Sequence, residues 1–291
     1  MVRQKGYKLI SPLLRCETPE TTKNSNFQNL KSRIQEKVSN ASNNRLLDTA
    51  SIYFRDLDPG NWFAVNQEEK YAPASLFKVP MMMTYFKESQ NSPNILSEKV
   101  SYHEKTSDVV QSFEPTNSLE DKKSYTIEQI IEQMIQESDN NTGDLLVEHL
   151  NNFNTINNTI NDIQLEKINQ EETGDIMTIS QYAYYFRAFY SASYLTDELS
   201  EKALNILTKT NFNDGIVSGV PKQILIAHKF GERSFGPNTA SELHDCGIIY
   251  YPNHPYLLCV MTKGNDFKNL VSVIRSISST VYESVDKWDK N

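Results

Sequence analysis

Ser75-Leu-Phe-Lys78 sets a hydroxyl three residues before an amine, at the start of an apolar run over residues 75–86. On a helix that spacing brings both side chains to one face, about one turn apart. An amine so placed can take the hydroxyl proton while the oxygen attacks a carbonyl carbon. The pair alone carries little weight, because a chain of this size holds such a spacing by chance. A core helix with an N-terminal Ser and a surface Lys would read the same way. Two later groups could complete the chemistry. Ser138-Asp-Asn140 stands between two helical runs and offers a second hydroxyl and a carboxamide; Lys229-Phe-Gly231 ends a strand-like run and offers a second amine. Each has a plain structural reading too: an interhelix turn with Asp139 as a helix cap, and a lysine at a strand end.

The elements that must position these groups follow from hydrophobic period and turn chemistry. Phe27, Leu30, Ile34 and Val38 recur at helical spacing, and the Asn-rich stretch 39–44 ends that run. Residues 50–54 and 62–65 read as an antiparallel hairpin around Asp56-Leu-Asp-Pro-Gly60. Residues 75–210 are almost all helical in pattern. Helices are expected from Ser75, from Ile127 behind a Thr126 cap, over 143–150, over 179–190, and from a Thr196 cap through 197–201 into 203–207. Strands return at 223–230, 246–251 and 257–262, the last two joined at Asn253-His-Pro255. A long amphipathic helix follows, from Phe267 to Val285. This order predicts an α/β (α+β) fold: a five-stranded antiparallel sheet flanked by helices and built from both chain ends, with an all-helical subdomain inserted. The expected divisions are an N-terminal arm over 1–25, a discontinuous sheet subdomain over 26–80 and 210–291, and a helical subdomain over 81–209. The Asn-rich stretch 151–161 reads as solvated loop and frayed helix.

In order and element by element, the three groups resemble the motifs of the penicillin-recognising serine hydrolases, which include the class A β-lactamases and the penicillin-binding proteins. The resemblance covers roughly residues 27–288 and implies a β-lactamase-like fold. It implies that Ser75 is the nucleophile, Lys78 its base, Ser138 a proton relay to the leaving nitrogen, and Lys229 a positive charge for a substrate carboxylate. Asn140 would bind the substrate amide and hold Lys78. Gly231 would let substrate lie close to the strand edge, and the backbone N–H of Glu232 would join that of Ser75 in an oxyanion hole. His228 reads as structural or solvated; His244 and Asp245 open the next strand and could brace the site.

Two departures limit what carries over. The family's third motif has Thr or Ser where this chain has Phe230, so a hydroxyl at the substrate-binding position is missing; Arg233 and Ser234 are the neighbours able to compensate. The Glu-x-x-Leu-Asn pattern of the β-lactamases' deacylating loop is also missing. Glu166-Lys-Ile-Asn169 is a shortened imitation, which makes Glu166 the candidate deacylation base, with Glu171 and Glu172 nearby. Without a positioned base, water should attack an acyl-enzyme slowly.

At 291 residues, with 38% hydrophobic and 10% aromatic residues, the chain can bury a substantial core. A net charge of −8 leaves no basic stripe for nucleic acid. Cys16, Cys246 and Cys259 lack metal-ligand spacing; the latter two read most simply as small buried apolar residues, with a bridge between them as the alternative. No metal or cofactor is called for, since side chains supply both nucleophile and proton carriers. No secretory signal is visible at Met1-Val-Arg-Gln-Lys-Gly, while the resemblance implies an exported, cell-envelope location. The 7–14 patch could then be a juxtamembrane arm of a monomer whose anchor lies outside this chain. Three functions stay open. One is a serine acyl-hydrolase with slow β-lactam turnover. The second is a D,D-peptidase or esterase acting on cell-wall peptides, and the third a catalytically silent binding module.

Overall fold

The computed structural model describes residues 6–12, 25–58, 60–105, 111–150, 153–163, 174–234 and 240–290. Among them are eight α-helices and one five-stranded sheet. The helices are α1 (Ser25–Asn43), α2 (Lys78–Ser89), α3 (Ile127–Gln136), α4 (Asn140–Leu150), α5 (Phe153–Asp162), α6 (Ile179–Ser191), α7 (Asp197–Leu207) and α8 (Phe267–Asp289). The strands of the sheet are β1 (Thr49–Asp56), β2 (Trp62–Val65), β7 (Ile226–Ser234), β8 (Ser241–Ile249) and β9 (Tyr256–Gly264). Their order is β2-β1-β9-β8-β7, and every pairing is antiparallel. Two short ribbons, β3 (Lys70–Tyr71) with β6 (Met177–Thr178) and β4 (Lys99–Ser101) with β5 (Ser124–Thr126), had no signal in the sequence.

Both faces of the sheet are covered, which is why its strands are apolar at almost every position. Ile52, Phe54, Leu258 and Val260 face one way, into a core with Phe27, Leu30 and Ile34 of α1 and Ile274, Ile277 and Val281 of α8. Tyr53, Leu257, Cys259 and Met261 face the other way, into a core with the helical block. The period-2 alternation of side chains enforces this division. Thr126 and Thr178 cap α3 and α6 in full capping boxes with Gln129 and Gln181, and Thr196 caps α7.

The structure revises several of these expectations. The 151–161 stretch is helical from Phe153 onward, because Ile156 and Ile160, one turn apart, are buried in the block core. The strand expected to end at Phe230 runs on to Ser234, its ladder with β8 closing at Ser234↔Ser241, so Lys229 and Gly231 lie inside a strand. Cys246 and Cys259 face each other across the β8–β9 ladder and form a disulfide, the alternative that the sequence reading disfavoured. In the described part of the arm, Leu9 and Ile10 are buried, and the Glu201 carboxylate accepts the backbone N–H groups of Lys8, Leu9 and Ile10.

Candidate active site

Ser75 sits in a tight 3-10 turn, Ala74–Phe77, that hands directly into α2 at Lys78. Ala74 is a non-glycine residue in the left-handed region, φ +46, and Ser138 is another, φ +57. Such conformations cost free energy and persist only where surrounding packing enforces them. For Ala74 part of that packing is β7: a Cβ on Gly231 would lie 2.9 Å from the Leu76 backbone nitrogen. Only a residue without a side chain lets the strand come this close to the turn that carries Ser75.

The Lys78 ammonium is the hub of the site. Its Nζ donates to the Ser138 carbonyl at 2.6 Å and to Asn140 Oδ1 at 2.7 Å, and it lies 3.1 Å from Ser75 Oγ. Both short partners are oxygens that can only accept, so two N–H bonds are committed to them. The remaining tetrahedral position of the nitrogen faces Ser75 Oγ. Burial lowers the Lys78 pKa to about 7, against weaker opposing pulls from Asp139, Asp144 and Glu232. Close to neutrality, that remaining position is therefore a lone pair for much of the time.

Ser138 Oγ joins the two amines. Lys229 Nζ donates to it at 2.9 Å and to the Phe230 carbonyl at 2.9 Å, while Lys78 Nζ lies 3.4 Å away. Lys229 is fully buried, and desolvation followed by the Lys78 charge holds its pKa well below the ordinary lysine value. Asp139 braces the segment rather than the chemistry: its side chain accepts from Thr142 N at 3.3 Å, capping α4.

The structure thus brings Ser75, Lys78, Ser138, Asn140 and Lys229 into one hydrogen-bonded cluster. Ser75, Lys78 and Asn140 open onto a cleft of about 620 Å³, which Glu232, Arg233 and Ser234 of β7 also line. The wall opposite β7 is α4, whose Asn140, Asp144 and Glu148 recur every fourth residue. Phe77 and Phe153 stack at 5.8 Å to give it an apolar floor. Desolvation raises the Asp144 carboxyl above its ordinary range.

Phe230 is placed differently from its expected substrate-binding position. As the neighbour of Lys229 and Gly231 on a strand, its side chain faces the other side of the sheet. It is 3% exposed and stacks on Phe212 at 4.3 Å, in the core beside Phe113. Arg233 and Ser234 do reach the cleft. His228 is buried against Asp245, Nδ1 to Oδ1 2.8 Å, in a structural pairing. Glu166, Glu171, Glu172 and Cys16 lie outside the described residues.

Residues that a single sequence does not advertise complete the site. Glu137 accepts from Thr116 N, Asn117 Nδ2 and Asn211 Nδ2 just before Ser138. Desolvation pushes its carboxyl up, but these bonds outweigh it and leave the pKa below the ordinary value. The Glu232 carboxylate accepts the N–H groups of Ser112 and Phe113, pinning the segment that carries Gln111 to the cleft rim. Asp144 and Glu148 had a usable signal, their i+4 and i+8 spacing from Asn140.

The beta-lactamase enzyme family matches residues 29–285 of this chain. The chain belongs to that family. Among solved structures, the fold is similar to a variant of PBP-A captured as an acyl-enzyme complex with penicillin G (TM-score 0.74, 24% identity, covering 89% of this chain and 97% of that one). It is also similar to a class A beta-lactamase from Mycobacterium abscessus (TM-score 0.75, 17% identity, 87% and 99% covered). A beta-lactamase from Xanthomonas campestris pv. campestris matches with a TM-score of 0.74 at 16% identity, 88% and 98% covered. Comparison with curated proteins gives no match. Family and fold together make this a β-lactamase-like hydrolase.

Proposed function

We propose that this β-lactamase-like hydrolase acts through an acyl-enzyme on Ser75, taking β-lactams and peptide-like amides, with slow release of the acyl group. The observation that carries the reading is the hydrogen-bonding of Lys78. Two of its N–H bonds are committed to the Ser138 carbonyl and Asn140 Oδ1, and Ser75 Oγ lies 3.1 Å from the same nitrogen, where the free amine would take the hydroxyl proton. As Oγ bonds to the substrate carbonyl carbon, its proton passes to Lys78 Nζ. The carbonyl oxygen takes the negative charge and is held by the backbone N–H groups of Ser75 and Glu232. The C–N bond then breaks, the nitrogen taking the Ser138 Oγ proton, which Lys78 replaces. Lys229 keeps Ser138 oriented, and an anionic substrate group would meet Arg233 and Ser234 at the cleft wall. The acyl side lies along Phe77, Val147 and Phe153.

What supports slow release is that two of the cleft's carboxylates, Glu232 and Glu148, are already held by other groups. Glu232 is bound to two backbone amides, and Glu148 pairs with Lys105 at 2.5 Å. The sequence lacks the family's deacylating pattern, and Glu166 remains the sequence-derived candidate for that step. A D,D-peptidase or esterase acting on cell-wall peptides uses the same acylation chemistry, and the same carboxylate arrangement favours it as a second reading. Either substrate lies outside the cytoplasmic membrane, so export belongs to this proposal; among the described residues no helix is long and apolar enough to cross a bilayer.

Incubation with nitrocefin, a fluorescent penicillin and a D-Ala-D-Ala peptide separates the two readings. Slow nitrocefin turnover with a labelled band that fades supports the first. A band that persists, together with peptide cleavage, supports the second. Failure of every β-lactam and activated ester to label the protein contradicts both and favours a binding module.

A further inference from the structure

Outside the residues that line the cleft lies a second buried polar cluster. Glu242 and His244 sit two residues apart on β8 and face the helical block; they are 3% and 0% exposed. Glu242 Oε2 accepts the backbone N–H of Ala72 at 3.0 Å. His244 Nε2 lies 3.2 Å from the Ala72 carbonyl oxygen. That oxygen can only accept, so Nε2 is the donor, and the buried Nδ1 has no hydrogen-bond partner among the described residues. One side-chain pair thus holds both polar groups of a single residue. Lys263 extends the grip: its Nζ donates to the Lys70 carbonyl at 2.7 Å and lies 3.7 Å from Glu242 Oε1. The Tyr71 ring meets His244 edge-on at 5.3 Å.

Ala72 is three residues from Ser75, and the link between them is stiff. Pro73 has φ fixed near −58 by its ring, and Ala74 is held at φ +46. The Leu76 N–H closes back onto the Pro73 carbonyl at 2.9 Å. A shift of the Ala72 peptide therefore passes to Ser75 with little loss in the intervening bonds.

We propose that Glu242 and His244 are positioning residues for the Ser75 nucleophile. They clamp Ala72 from β8 while Gly231 of β7 packs against the far side of the turn, so two adjacent strands fix where Oγ stands relative to Lys78. The inference rests on the acyl-Ser75 reading above. Neither residue touches substrate, so their removal should slow bond formation without weakening reversible binding. A misplacement of the order of an ångström costs up to about a hundredfold in rate.

The test is the acylation rate with benzylpenicillin for Glu242→Leu and His244→Leu, against Glu242→Gln and His244→Gln. Gln retains an acceptor at the first position and a donor at the second; Leu retains neither. The Leu variants should acylate about tenfold to a hundredfold more slowly at saturation, with the half-saturating concentration changed less than about threefold, and the Gln variants should recover most of the rate. Folded Leu variants that acylate at the parent rate would overturn the clamp, as would a loss confined to half-saturation. Hydrogen exchange of the Ala72 amide in the unmodified protein tests the same contact if the Leu variants do not fold. Protection like that of the sheet amides is expected, and free exchange contradicts the clamp. Absence of any adduct on the parent protein would instead count against the acyl-Ser75 reading.

Discussion

Lys78 and Asn140, the first residues of α2 and α4, are joined by a hydrogen bond of 2.7 Å from Nζ to Oδ1. Two helices thereby begin at the same point, and the amine is aimed by a group that does not titrate. Replacing Asn140 by Ala removes one of the two short bonds that orient Nζ. A hydrogen bond to a charged or half-charged group is worth about 1.5–3 kcal/mol. Acylation by a penicillin should therefore fall about tenfold to a hundredfold in Asn140→Ala. Stopped-flow acylation rates, with far-UV circular dichroism to confirm folding, check this.

Burial sets a pH dependence with a definite sign. Because the Lys78 pKa is lowered to about 7, the free amine proposed to accept the Ser75 proton accumulates as pH rises through neutrality. Acylation should climb about tenfold from pH 6 to pH 8 and then level. Stability moves the same way. Below about 7 both folded and unfolded chains carry the proton, and the cost of a buried ammonium is present in full. Between about 7 and the ordinary lysine value of 10.5, the folded chain has shed a proton that the unfolded chain keeps, so stability rises with pH. Urea titrations of the parent and of Lys78→Met should differ progressively across that window.

Phe230 stands where the family has a hydroxyl, yet restoring the hydroxyl should not restore recognition. The ring is stacked on Phe212 in the core. Phe230→Thr should cost about 3 kcal/mol of stability through the cavity it opens. The half-saturating penicillin concentration should stay the same or rise. Thermal melts and acylation kinetics on one preparation test both halves.

The parts of the site that sequence reading reached are those whose chemistry is carried by residue type. Ser75, Lys78, Ser138, Asn140 and Lys229 stand out because their side chains can exchange protons and because helix and strand signals bracket them. The capped starts of α3 and α7 were legible for a similar reason, since Thr126 and Thr196 satisfy local backbone donors. What escaped depends on partners far away in the chain. The end of β7 was missed because its last residues are polar and are held by a ladder with β8. α5 reads in the sequence only as solvated loop and frayed helix, because burial of Ile156 and Ile160 against distant helices is what overrides its Asn-rich composition. Glu137 and Glu242 look like ordinary surface acids in one dimension. Their partners, Asn211 and Ala72, are 74 and 170 residues away.

The central claim is a covalent bond at one oxygen. Intact-mass spectrometry after incubation with benzylpenicillin should show the parent chain gaining the mass of one penicillin, with peptide mapping placing it on Ser75. Ser75→Ala should gain nothing under the same conditions. An adduct that survives in Ser75→Ala, or a parent chain that never acquires one, would contradict the account.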